Sequence, residues 1–154
     1  MPLRSNPGFG VGEALFSPLR SSSGADIYRF MRAVQPGDAI LHFVDNRSII
    51  GISRVKREAE IIAIGTEQWY RVQLEGFSAL MPALQRDVLF SAPFREGLAA
   101  IANSGVHNLF YTRHMTLSQG AYLTPLPRNV LSVINAAYFA MCGRPLATDA
   151  SPGD

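Results

Sequence analysis

The stretch Asp38–Val55, DAILHFVDNRSIIGISRV, decides the fold. Its first seven residues are nearly all apolar. Asp45-Asn46-Arg47 then supplies turn residues, and Ser48–Val55 returns as a second apolar run. Two such runs joined by so short a polar turn read as a β-hairpin. Gly51, inside the return strand, marks a bulge or a place where another group approaches the backbone. His42 lies between Leu41 and Phe43 and has no second His at i±3 or i±4, so it reads as a hydrogen-bonded structural histidine rather than a metal ligand.

Upstream of the hairpin, Ile27, Phe30, Met31 and Val34 recur at helical spacing. This predicts an amphipathic helix over 24–34, with Ser23 as N-cap and Pro36-Gly37 as the stop. Residues 1–23 are punctuated by Pro2, Pro7, Gly8, Gly10, Gly12 and Pro18 and read as loop with one short strand. Downstream, Glu58–Thr66 holds the apolar run IIAI, broken at Gly65. In Gln68–Phe77, Tyr70, Val72 and Leu74 alternate with Trp69, Arg71, Gln73 and Glu75, the period of a half-buried strand. A short helical stretch is expected around Gln85–Phe90 and another helix over Arg95–Asn103. Leu109–Met115 and Ala121–Leu126 read as strands joined by Ser118-Gln119-Gly120. Pro127 is expected at the first position of a last helix of about 14 residues, with Gly143 just past its end. A single domain is thus expected over residues 1–143, with a polar, disordered tail over 144–154. Strands and helices mix without βαβ alternation, which predicts an α+β domain with a small curved or barrel-like sheet and peripheral helices.

Composition narrows the function classes. The chain has 154 residues, 47% of them hydrophobic and 17% charged, which fits one domain with a real core and excludes wholesale disorder. No apolar run is long enough to span a bilayer, and a cytoplasmic setting without a membrane partner is expected. The one cysteine, Cys142, excludes an internal disulfide framework and a Cys-rich zinc site, and it reads as a structural thiol. Thirteen of the fourteen basic residues are Arg; Lys56 is the exception. Arg suits phosphate and base edges, although GC-rich coding explains the bias equally well.

Catalytic motifs are lacking. There is no G-x-S-x-G elbow, no H-E-x-x-H and no zinc-deaminase signature. Gly8-x-Gly10-x-Gly12 is neither G-x-G-x-x-G nor a Walker A sequence. The sequence therefore implies no metal and no cofactor, and no enzyme activity is expected.

Several segments, in order, resemble the EVE domains of the PUA-like superfamily. Ile27–Glu60 resembles the family's helix, its M-x-x-G-D turn with one extra residue, and its G-I-x-x-V return strand. Leu3-Arg4-Ser5-Asn6-Pro7 is similar to the opening K-S-E-P strand, with Arg4 for Lys and Asn6 for the acid. Trp69-Tyr70-Arg71-Val72 and Leu80-Met81-Pro82 resemble the W-x-x-V strand and the L-x-x-P that follows it. His114–Gln119 is loosely similar to the family's R-L-S-V-Q. The resemblance is closer to EVE-like readers of modification-dependent restriction systems. Their G-x-L-W-S-P segment is matched by Gly12–Pro18, with Phe16 in place of Trp, and their Q-G-x-Y-L-T by Gln119–Thr124.

The resemblance implies a PUA-like curved barrel and a pocket that takes a flipped modified base, 5-substituted cytosine in DNA being favoured. Transferred by position, the pocket comprises Ser5, Asn6, Leu15, Phe16, Ser17 and Asp45, with Phe16 stacking on the base and the polar groups reading its edge. Arg4, Arg20, Arg47 and Arg113 would hold the nucleic-acid backbone. Each residue also has a plainer role: Phe16 as a core plug, Ser17 and Asn6 as turn residues, Asp45 as a cap of the hairpin turn. Rival functions are a PUA-like RNA reader, an ASCH-like nuclease, for which Lys56 is thin support, and an interaction domain without a pocket. In a restriction setting, cutting would fall to a separate nuclease subunit.

Overall fold

The computed structural model describes residues 2–3, 12–118 and 122–146. Its strands are β1 (Pro2–Leu3), β2 (Ala14–Pro18), β3 (Ala39–Val44), β4 (Ser48–Val55), β5 (Glu60–Ile64) and β6 (Glu67–Gln85). Its α-helices are α1 (Arg86–Leu89), α2 (Phe94–Ala102) and α3 (Arg128–Cys142). The fold is α+β. The sheet runs β1-β3-β4-β6-β2, with β5 on β6.

The hairpin of β3 and β4 forms as its sequence dictates. Asp45 and Asn46 both take φ 55°, a left-handed turn conformation that Asp and Asn tolerate better than other side chains. Register slips at His42/Phe43 and on both sides of Gly51 bend the sheet. Strand β6 is the curling element. Its first half lies between β2 and β5, and its second half pairs with β4. Just past the start of the β4-paired stretch, Gly76 sits at φ 65°, a bend that glycine makes at no steric cost. The result is a curled, largely antiparallel half-barrel.

Two apolar clusters sandwich β3. Leu41 and Phe43 point to one, with Ile49, Leu84, Leu98, Phe110 and Ile134, where the helices cover the sheet. Ile40 points to the other, with Leu15, Met31, Val55, Val72 and Tyr122. Burial on both faces explains the unbroken apolar run of β3.

The helix expected over 24–34 does not form; only a 3-10 turn, Arg29–Arg32, is present. Ser21, not Ser23, organises the approach, accepting the Ala25 N–H on its hydroxyl and the Gly24 N–H on its carbonyl. Asp26 is drawn into a two-oxygen pair with Arg32 instead of capping a helix, which holds its carboxyl below the usual range. Ile27, first of the expected stripe, is exposed. The strands expected at 109–115 and 121–126 reduce, among the described residues, to one bridge, Tyr111–Leu117. Asn108 at φ 63° and Met115 at φ 60° break the extended backbone. Pro127 stands one residue before α3 rather than inside it, while Gly143 ends that helix at φ 75° as expected. Within the segment expected as tail, Leu146 is buried and its N–H donates to Asn135 Oδ1 at 2.8 Å. Residues 147–154 lie outside the described residues.

Among the described residues, no helix is long and apolar enough to cross a membrane.

Gly51 permits a close approach between β4 and β6 in the half-barrel. A Cβ built there would lie 2.5 Å from the Phe77 ring and 2.9 Å from the Ser78 carbonyl oxygen. Gly51→Ala is expected to destabilise by about 1–3 kcal/mol, the usual cost of overpacking. Phe77→Ala in the same chain should restore part of that loss, because the carbonyl clash alone remains. Urea midpoints of the two single variants and the double variant measure the coupling.

Candidate functional site

The pairing of the strands puts three buried polar side chains on the face of the second cluster. Ser53 stands opposite Ile40, and Ser17 stands opposite Tyr70. His42, two residues beyond Ile40 on β3, shares that face. Ser17, His42 and Ser53 are each at most 1% exposed, so their hydrogen bonds must be met within the fold. His42 Nε2 lies 2.7 Å from Ser53 Oγ. Its Nδ1 is buried and has no partner among the described residues. Burial pushes the His42 pKa down to about 4, so the ring is neutral near pH 7. The expected structural role of His42 holds in its bond to Ser53.

Phe77 covers this group. Its ring lies 5.7 Å from that of His42, and it also occupies the space where Gly12 and Gly51 lack a side chain. The approach to β2, the bend of β6 and the middle of β4 therefore meet at one aromatic ring.

The sequence-predicted residues fall as follows. Leu15 is a core residue of the second cluster. Phe16 is 4% exposed, and its backbone N–H donates to the Tyr122 hydroxyl at 3.2 Å. Ser17 donates its hydroxyl to the Pro18 carbonyl at 3.0 Å. Asp45 is exposed and forms the hairpin turn. Arg20, Arg47 and Arg113 are exposed. Arg20 donates to the Gly24 carbonyl, and the Arg47 carbonyl accepts the Arg86 N–H. Arg4, Ser5 and Asn6 lie outside the described residues. β1 ends at Leu3, paired with Val44, the residue before Asp45.

Two recesses were not foreseen from the sequence. One, of about 280 Å³, lies at the seam of the two clusters and is floored by residues including Leu41, Phe43, Ile49 and Ile134. The other, of about 480 Å³, is bounded by residues including Arg29, His107, Tyr111 and Arg113. Phe30, Leu123 and Thr124 belong to both walls. Leu15, Phe16, Ser17 and Asp45 belong to neither. Cys142 donates its thiol to the Tyr138 carbonyl at 3.3 Å, within the turn of its own helix. Among the described residues, no group of three or more His, Cys, Asp or Glu converges as a metal site would require.

The sequence matches no protein-family model and no curated protein.

Proposed function

We propose that the chain is a nucleic-acid reader of the PUA-like, EVE-like kind. It accommodates a flipped base, 5-substituted cytosine in DNA, and has no catalysis of its own. The observation that carries this reading is the buried His42 Nδ1, which has no partner among the described residues, on the face of a curled sheet that Ser17 and Ser53 share. Phe16, next to Ser17 on β2, faces the other side of that strand. Buried polar groups are costly unless they are hydrogen-bonded. A base edge is the kind of partner such groups recognise, and an aromatic ring is the platform on which a base stacks. Ser5, Asn6, Leu15 and Asp45 complete the pocket, as the order of the family-like segments implies. Arg4, Arg20, Arg47 and Arg113 hold the phosphates. Nuclease action, in a restriction setting, belongs to a separate subunit in the cytoplasm.

Fluorescence anisotropy with duplexes that differ only in cytosine modification tests this. The modified duplex is expected to bind more tightly. Phe16→Ala should lower that affinity by roughly 5- to 100-fold, the worth of one stacked base, and leave the unmodified duplex unaffected. Arg20→Ala should weaken both duplexes and reduce the salt slope by about one. Equal affinity for the two duplexes, or preference for a modified RNA strand, would overturn the DNA reading. Thermal melts of each variant separate lost binding from lost folding.

A further inference from the structure

The two recesses share a wall, and their chemistries are complementary. The smaller is apolar. Its floor is buried in the first core cluster, Val34, Ile40 and Leu123 of the second complete its wall, and its one charged side chain, Asp38 at the exposed rim, already accepts the Gln35 N–H at 2.8 Å. The larger carries Arg29, His107 and Arg113 and has no carboxylate in its wall. Phe30 stands between the two. The Arg29 guanidinium lies 4.6 Å over its ring and also donates to Asn108 Oδ1 at 3.1 Å. Protein interiors keep few voids larger than a water molecule, and ligand sites are apolar clefts with a few well-placed polar groups.

We propose that the two recesses form one site for an amphipathic organic anion: an aliphatic carboxylate whose head meets Arg29 and Arg113 and whose tail enters the apolar recess past Phe30. At about 30 Å³ for a group of water or methylene size, 280 Å³ takes a tail of roughly six to ten carbons. An arginine fork matches a carboxylate with two parallel hydrogen bonds. A nucleotide would find the cationic end but not the apolar one, which offers a base little to hydrogen-bond. The site lies apart from the base pocket, because Phe16 and Ser17 lie in neither wall, but it shares Arg113 with the proposed phosphate contacts.

Isothermal titration calorimetry of the full chain with butyrate, hexanoate, octanoate and decanoate tests the site. Octylammonium is the control. Affinity is expected to rise about three- to fourfold per methylene until the recess is full, and octylammonium should not bind. Arg113→Gln, on an exposed side chain, should lower octanoate affinity about tenfold without changing the melting temperature. Ala33→Trp, at the exposed rim of the apolar recess, should abolish the dependence on chain length. A flat chain-length series, equal binding of octylammonium, or unchanged octanoate affinity in Arg113→Gln would overturn the site. Loss of duplex binding in Phe16→Ala with octanoate binding intact keeps this inference apart from the reader function. Octanoate that displaces DNA with no chain-length dependence overturns it and leaves Arg113 to phosphate alone.

Discussion

Between pH 6.5 and pH 4 the protein is expected to lose about 3 kcal/mol of stability through His42 alone. The ring is 0% exposed, and burial pushes its pKa down to about 4. In the unfolded chain it returns to the ordinary value near 6.5. Above pH 6.5 neither state binds the proton, so this group adds no slope. Between 6.5 and 4 the unfolded state binds it and the folded state does not, so stability falls as pH falls. Below pH 4 both states are protonated and the loss from this group is complete. The carboxyls of Asp26 and Glu60 act lower. Arg32 and Arg71 hold them below the usual carboxylate range, so their losses fall at the acid end of the His42 window and below it. A change of about 3 kcal/mol is a large share of the 5–15 kcal/mol typical of a domain. Urea midpoints at pH 7.0, 5.5 and 4.5 read the slope. It should vanish in His42→Asn and persist in Ser53→Ala. A flat profile in the unaltered protein would mean that the ring is not sealed from water.

The sequence announces most strongly what short-range chemistry decides. Asp45 and Asn46 specify their own turn, and that turn fixes the pairing as far as Phe43 and Ile49, beyond which the register slips by one. The buried role of His42 is legible in its apolar strand, but its partner Ser53 is not, because only the slip at His42/Phe43 brings Ser53 onto the His42 face. The strand after Gln68 is legible through Tyr70, Val72 and Leu74, but its reading stops at Phe77. In the fold it passes the bend at Gly76 and continues to Gln85, because Leu80 and Leu84 find places in the first cluster. The 24–34 segment shows the opposite case. Four apolar residues at helical spacing did not outweigh the Ser21 turn and the Asp26–Arg32 pair, both of which act across the expected first turn. Leu109, Phe110 and Tyr111 are strand formers by type, yet they bury themselves without a ladder partner beyond Leu117.

The candidate sites divide in the same way. Phe16 and Ser17 are legible only through the resemblance that places them, since an aromatic beside a serine has no spacing of its own to mark it. The paired recesses have no sequence signature. Their walls come from the 27–30 turn, β3, the 106–118 loop and the 123–126 segment, far apart in the chain. Arg29 and Arg113 stand 84 positions apart and share a wall only because the 106–118 loop folds back over the 3-10 turn. Such a site follows from packing and could be recognised only in three dimensions.

Phe43→Ala should be the most damaging single truncation, costing about 3–5 kcal/mol. Phe43 is 1% exposed, and its ring centroid lies 6.1 Å from that of Phe110. It sits on β3, the strand held between the two clusters, so neither face offers solvent into which the structure can relax. It is also part of the wall of the apolar recess, so its loss would enlarge a space that is already there. Neighbours that already border empty volume gain little by collapsing inward, which places the cost toward the upper end of the range. Phe43→Leu keeps most of the volume and should cost less than about 1.5 kcal/mol. The contrast with Ile61, an apolar residue on β5 that is 57% exposed, sets the scale: Ile61→Ala should stay within about 0.5 kcal/mol. Urea titration of the three variants gives the comparison directly. The midpoint should fall most for Phe43→Ala, with an unchanged m-value if the rest of the fold holds. A loss below about 1 kcal/mol for Phe43→Ala would mean that the wall between core and recess is not packed. In that case the apolar recess would be a general looseness of the core and not a formed site.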